Sequence, residues 1–263
     1  MLTMSLAAVA LLAGAAGAAA QAPLAERILA VRDGTVRLAY SVRDGICGDG
    51  ETFIRDRSRG DDHYVSFEGR NGRSWRTAPC EPGPARVEIT KLEGAVNRVR
   101  VYVGGEWRTG GGDVTDLGTV SAPQAARALI LVAQRERRAE QAIFAAMIAD
   151  SAVVWPDLLA LAKNDDAPRS SRKSAVFWLS QAAGDAATRG LSDLAEDERQ
   201  DRDVREQAVF ALSQRPHDEG VPILIRLARA NRDPAIRRKA LFWLGQSDDP
   251  RALALFEAIL TGK

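Results

Sequence analysis

A five-residue apolar segment returns four times along this chain at a nearly constant interval. The copies begin at Ala142, Ala175, Ala208 and Ala240, at offsets of 33, 33 and 32 positions, and read AIFAA, AVFWL, AVFAL and ALFWL. Self-similarity at a fixed period of this length is typical of arrays in which small supersecondary units stack on one another. The carboxyl-terminal half is therefore predicted to be a repeat array.

A second apolar segment follows each copy. In the first unit its side chains are Trp155, Leu158 and Leu161, and the spacing of three places them on one face of a helix. The corresponding triplets of the later units are Thr188, Leu191 and Leu194, then Val221, Leu224 and Leu227, and finally Leu253, Phe256 and Ile259. Each unit is predicted to be helix, turn and helix, and neither helix can bury its apolar face unless the units stack.

Polar residues also recur with the period. They are Arg172, Arg205 and Arg237, which stand three positions before the repeated alanine, Asp201 and Asp233, which stand four before the last two of those arginines, and Gln181, Gln214 and Gln246. We expect the aspartates and arginines to form a ladder between stacked units, and the glutamine amides to satisfy turn carbonyls or a neighbouring backbone. Both roles are interpreted as structural.

Positions that vary between units are better candidates for recognition than positions that recur. On the second helices these form two neighbouring columns. The candidate protein-binding face is Leu159, Ser192, Asp193, Ile225, Arg226 and Glu257.

The unit 201–214, with Asp-x-x-x-Arg and AVFAL followed by Gly-Val-Pro-Ile-Leu from Gly220, resembles a HEAT repeat, particularly the short form of phycobilisome-lyase-like HEAT proteins. The resemblance covers four units near 136–166, 167–199, 200–231 and 232–262. It implies an α-solenoid scaffold that binds proteins, and only a minority of such proteins act on chromophores. The whole layout also resembles uncharacterised exported bacterial HEAT-repeat proteins with an amino-terminal β domain.

Before about position 118 the apolar period is two rather than that of a helix. Val36, Leu38 and Tyr40 alternate with polar or small residues, and Asp33-Gly34 predicts a hairpin turn between this strand and another at 28–31. A second hairpin is predicted from Val87 to Val103. A capping box at Ser121 predicts that the first helix covers 122–133. The expected fold class is α+β: an antiparallel β domain at 21–118, then an all-α solenoid at 119–263.

The first twenty residues carry no charged side chain and resemble a secretory signal peptide cleaved after Ala20, with an uncleaved anchor helix as the alternative. Export would place the chain in an oxidising compartment, either periplasmic or extracellular. Cys47 and Cys80 are therefore predicted to form a disulfide. No integral membrane segment is expected after cleavage.

Composition limits the classes of function that are expected of this chain. A net charge of +1 disfavours bulk binding to nucleic acid, and two histidines and two cysteines leave little material for a zinc site or a catalytic triad. An Asp-Asp-His run at 61–63 is not expected to converge on a metal, because neighbouring strand residues point to opposite faces. We expect a noncatalytic scaffold without cofactor or metal, whose partner is another envelope or secreted protein, acting as a passive scaffold or a sensor. The alternative is a ligand-binding or lyase-like enzyme with its site between the β domain and the solenoid.

Overall fold

The computed structural model describes residues 23–51, 53–57, 64–67, 80–107, 112–182 and 185–262. The predicted signal peptide and the Asp-Asp-His run at 61–63 lie outside these residues. The described chain has a sheet-containing amino-terminal part followed by an array of helices. The α+β fold class is confirmed.

The amino-terminal part contains one helix and two small sheets. Helix α1 covers Leu24–Ala30, and the strands are β1 Gly34–Tyr40, β2 Ile46–Gly48, β3 Phe53–Asp56, β4 Tyr64–Phe67, β5 Ala85–Leu92, β6 Ala95–Val103 and β7 Val114–Thr119. One sheet has the strand order β6-β5-β1-β7 and the other β2-β3-β4. The predicted β5–β6 hairpin is confirmed. Because β7 runs parallel to β1, the first sheet is mixed rather than wholly antiparallel.

The prediction of a hairpin between 28–31 and β1 is wrong. Residues 28–30, which were expected to belong to a strand, lie in α1, and this helix buries Ala25 and Ile28, at helical spacing, against the rest of the core. The partner of β1 is instead β5, some fifty positions further along the chain. Asp33 does lie at the turn into β1, where its carboxylate accepts a hydrogen bond from the backbone N–H of Glu93 at 2.8 Å. Seven residues were too short for their periodicity to separate helix from strand.

The predicted disulfide is confirmed. Cys47, in β2, is bonded to Cys80, and their Cα atoms are 5.2 Å apart. Backbone hydrogen bonds join Gly48 and Glu81 in both directions, at 3.0 and 2.7 Å. The bond therefore fixes the small sheet to the segment that leads into β5.

The carboxyl-terminal part consists of helices in two layers. They are α2 Ala122–Arg135, α3 Gln141–Met147, α4 Trp155–Lys163, α5 Arg169–Ser180, α6 Asp185–Glu196, α7 Arg202–Ser213, α8 His217–Ala230, α9 Pro234–Leu244 and α10 Pro250–Thr261. The first helices of the units, α3, α5, α7 and α9, pack side by side, and so do α2, α4, α6, α8 and α10. No described helix is both long and apolar enough to cross a bilayer. The helix-turn-helix unit is thus observed four times.

The repeated segments supply the core of the array. All four of the alanines Ala142, Ala175, Ala208 and Ala240 are fully buried. The second-helix triplets are buried or half-buried in the first three units, but in the fourth Leu253 and Ile259 are 61% and 55% exposed. The buried positions of α10 are Ala252 and Leu255. The predicted register of this helix is wrong because apolar residues occupy both of its faces, so the pattern alone cannot say which face packs.

Two other sequence-based details need correction or restatement. Ser121 stands at the N-cap of α2, but its side chain accepts no capping hydrogen bond. The prediction of a capping box is therefore wrong. The three repeat tryptophans, Trp155, Trp178 and Trp243, are half-buried and pack against the core, so their role here is structural.

The sheet and the array are in direct contact. The hydroxyl of Tyr40 donates a hydrogen bond to the carbonyl of Ala145 in α3 at 2.6 Å. The buried ammonium of Lys91 donates to the carbonyl of Leu29 at 2.9 Å and lies 3.5 Å from a carboxylate oxygen of Glu136, just after α2. Burial raises the pKa of Tyr40 far above its usual value. These contacts hold the first unit of the array against the sheet.

Candidate protein-binding surface

The recurring aspartates and arginines meet between units. Arg172 of α5 donates to the carboxylate of Asp201, which begins α7, and also to Asp165 at 3.0 Å. One unit later, Arg205 of α7 donates at 3.1 Å to Asp233, which begins α9. Each arginine therefore reaches forward to the acid at the start of the next first helix.

The environment of these pairs explains their geometry. The side chains of Arg172 and Arg205 are only 7% and 6% exposed, whereas the aspartates lie nearer to solvent. Asp233 caps α9 by accepting a hydrogen bond from the backbone N–H of Ala235 at 2.8 Å, and this bond, with the nearby arginines, lowers the pKa of the carboxyl group. Each buried arginine therefore has a charged acceptor in the following unit, and this hydrogen-bonded pairing offsets part of the cost of its burial.

Arg237, the last arginine of the column, has a different set of acceptors. It donates to the backbone carbonyls of Asn231 and Arg232 at 2.7 and 3.0 Å. Within the part of the chain that the structure describes, no carboxylate lies within 4 Å of its guanidinium.

Two members of the glutamine column bond to a neighbouring serine. Gln181 and Gln214 each donate to the hydroxyl of the serine before them, at 3.0 and 3.1 Å. Those hydroxyls, on Ser180 and Ser213, are the groups that donate to main-chain carbonyls of their own helices. Gln246 follows a glycine instead of a serine, is exposed, and lines a cleft of about 150 Å³ between the third and fourth units.

The candidate face on the second helices divides into packed and free positions. Leu159 and Ile225 are half-buried against the core, and Ser192 is buried. Leu159 lies over Gly190 of the next second helix, where an added Cβ would come within 2.9 Å of its methyl groups. Asp193 and Glu257 are exposed. The structure therefore joins some members of the face across neighbouring helices, without gathering all six.

Arg226 makes the clearest contact on this face. Its guanidinium donates to the hydroxyl of Ser192 at 2.7 Å and to a carboxylate oxygen of Glu196 at 2.8 Å, so it connects α8 to α6. More than half of its side chain is exposed. The residue is both a bridge between second helices and an accessible charge.

A groove of about 500 Å³ opens beside this bridge, between the carboxyl-terminal ends of α6 and α8. Its lining residues are Glu196, Asp197, Glu198, Arg226, Leu227, Ala230, Asn231 and Arg232. The charges are of both signs and mostly paired; Arg199, for example, lowers the pKa of Asp197 through a hydrogen bond. Of these residues, sequence analysis identified only Arg226 as a candidate for recognition. The groove also includes residues of the turns after α6 and α8, where the helical period ends.

Comparison with known proteins adds one match. Residues 188–263 match the family model for HEAT repeats. The matched segment contains Asp201, Arg205, Asp233 and Arg237, the recurring charges of the last two units. Arrays of HEAT repeats generally mediate protein–protein interaction. No curated protein shows significant similarity to the chain. The phycobilisome-lyase-like and exported bacterial resemblances therefore stay predictions.

Proposed function

We propose that this protein is a noncatalytic scaffold that binds another polypeptide through the second helices of its HEAT-like array. The observation that carries the proposal is the match of residues 188–263 to HEAT repeats, combined with an accessible groove on the second-helix layer of that same segment. Stacked helical units present a wide surface without a deep pocket, which suits a protein partner better than a small molecule.

The ladder of charges supports a rigid surface. Because Arg172 and Arg205 are buried and paired with acids of the following unit, the units resist rotation relative to one another. A surface already held in its binding conformation loses little conformational entropy on association, and affinity gains accordingly. The mixed charges of the groove between α6 and α8 favour a partner surface that also carries both signs.

We further propose that the protein acts outside the cytoplasm, on a partner in the envelope or the secreted fraction. The support is the apolar run at 6–20 together with the Cys47–Cys80 disulfide, which suits an oxidising compartment.

The test is crosslinking capture with the chain from residue 21 onward, prepared under oxidising conditions, incubated with native envelope extract and analysed by mass spectrometry. One variant combines Ile225→Asp with Arg226→Glu. The matched control is Arg127→Glu, which reverses an arginine charge, as Arg226→Glu does, at an exposed position of α2. Circular dichroism checks that both variants fold.

We expect one protein to be captured by the wild type and the control and lost with the Ile225/Arg226 variant. Equal capture by all three would show that this face is not the binding surface. Recovery of a small molecule in place of a protein would contradict the scaffold and favour the alternative site between the sheet and the array.

A further inference from the structure

The outward side of the fourth unit, called here the terminal face, is defined by Arg237, Arg238 and Phe242 of α9 and Leu253 and Leu260 of α10. These positions follow from the repeat alignment: Arg205, Glu206 and Phe210 of α7 lie 32 positions earlier and face α9. Their environment shows what a first helix presents to the element packed beyond it.

The first regularity is electrostatic. Arg169 and Arg172 of α5 meet Asp203 and Asp201 at the start of α7. Arg205 of α7 meets an acid at the start of α9 in the same way. Two successive first helices thus bind the acidic start of the helix beyond them.

On the terminal face the cations lack that acid. Arg237 is bonded to main-chain carbonyls, and neither it nor Arg238 lies within 4 Å of a carboxylate in the described stretches. Arg238 is exposed. Arg237 thus keeps the position of Arg205, but in the described residues it has no aspartate of a following helix beside it.

The second regularity is aromatic. The rings of Phe144 and Trp178 stack with centroids 5.5 Å apart, and those of Phe210 and Trp243 lie 5.0 Å apart. In both cases a phenylalanine of one unit receives a tryptophan of the next, and each tryptophan stands ten positions after the N-cap of its helix. Phe242 is the next phenylalanine of the column and is 54% exposed.

The second helix extends the apolar surface. On α10, Leu253 is 61% exposed, Ile259 55% and Leu260 86%. Leu253 and Leu260 are seven positions apart, on one side of the helix. Clustered apolar exposure of this kind marks an interaction site more often than isolated exposed residues do.

We propose that the terminal face binds a helix supplied by a partner polypeptide, with an acidic residue at its N-cap and a large aromatic or apolar residue ten positions later. The acid would pair with Arg237, as Asp233 pairs with Arg205, and the aromatic side chain would cover Phe242. This surface is separate from the groove between α6 and α8, so this proposal and the proposed function can fail independently.

A second copy of this chain is a poorer occupant. Symmetric pairing of two terminal faces would bring Arg237 and Arg238 of both copies together without acids to neutralise them. Head-to-tail stacking is blocked because the first unit is covered by α2 and by the sheet, where Tyr40 bonds to Ala145. A helix of a different polypeptide therefore fits the terminal face better than a second copy of this chain.

The probe is a fluorescently labelled synthetic peptide of residues 232–262 of this chain, which carries Asp233 at the N-cap and Trp243 ten positions later. It reproduces the chemistry with which α9 packs on α7. Fluorescence anisotropy measures its binding to the chain from residue 21 onward. The protein variants are Arg237→Gln and Phe242→Ser, and the matched control is Phe177→Ser, in the same column of α5 but away from the terminal face.

We expect saturable binding that weakens about tenfold for each terminal-face variant and for the Asp233→Asn peptide, but not for the Phe177→Ser control. Circular dichroism verifies the fold, and Arg237→Gln keeps the test valid if Phe242→Ser unfolds. Absent binding, or equal binding to all variants, overturns the proposal. So does sedimentation of the chain alone as a dimer that Arg237→Gln leaves intact and Phe242→Ser dissociates, because the face would then be occupied by a second copy.

Discussion

At the scale of single residues, Arg215 joins three helices, and sequence analysis did not identify it. It is buried and donates to the hydroxyl of Thr188 at 2.9 Å, to the carboxylate of Glu219 at 2.8 Å and to the backbone carbonyls of Ser180 and Ala182. One guanidinium thus joins the end of α5, α6 and α8. Arg215 occurs in only one unit, so no recurrence in the sequence could reveal it.

Asp249 gives a prediction at this scale. It caps α10, and hydrogen bonds from Arg251 lower its pKa from 3.8 to about 2. Because the folded-state pKa is depressed, the stabilisation is present above pH 3.8 and is lost as the pH falls towards about 2. We expect the urea midpoint of the wild type to fall more steeply across this window than that of Asp249→Asn. The exposed Asp248→Asn is the control; identical slopes for Asp249→Asn and the wild type would contradict the role given to Asp249.

At the scale of helices, close approach between neighbours depends on two glycines. A Cβ at Gly220 of α8 would lie 2.3 Å from the backbone carbonyl oxygen of Leu212. A Cβ at Gly190 of α6 would instead meet the end of the Leu159 side chain at 2.9 Å. A side chain can rotate away from such a contact, whereas the backbone of a packed helix cannot.

The two glycines therefore form a matched pair for mutation. Alanine favours a helix over glycine by about 1 kcal/mol, so only steric conflict can make the substitution destabilising. We expect Gly220→Ala to lower the free energy of unfolding by about 1–3 kcal/mol, as overpacking does, and Gly190→Ala to change it much less. Urea denaturation followed by circular dichroism measures both. Equally small changes in the free energy of unfolding for both substitutions would mean that α8 can shift away from α7 and relieve the contact at Gly220.

At the scale of the whole molecule, the described chain is a small sheet part packed on a helical array, with the contacts of Tyr40 and Lys91 between them. The disulfide belongs to the sheet part and bonds residues 33 positions apart. The array has its own regularity, in which each unit contacts the next. The sheet part thus contains a covalent cross-link, whereas the array is stabilised by contacts between successive units.

The disulfide prediction follows from this division. In the chain-entropy treatment, a loop of 33 positions contributes about 3–4 kcal/mol by restricting the unfolded state. We expect the Cys47→Ser/Cys80→Ser double variant to lose about that much stability in the sheet part, while helix content at 25 °C is retained. Calorimetry and circular dichroism together measure this. Loss of the helical signal at the same temperature as the sheet would show that the two parts unfold together.

The sequence by itself determined the repeating part of this protein, the β5–β6 hairpin and the pairing of its two cysteines. The alanine columns, buried in every unit, could be recognised because each unit places them in the same environment. Helix α1, the parallel β7, the packed face of α10 and the contacts of Arg215 were decided only by the tertiary structure. Helix α1, β7 and Arg215 depend on contacts that occur once in the fold, and periodicity carries information only about contacts that repeat. In α10 apolar residues occupy both faces, so only the packing decides which face is buried.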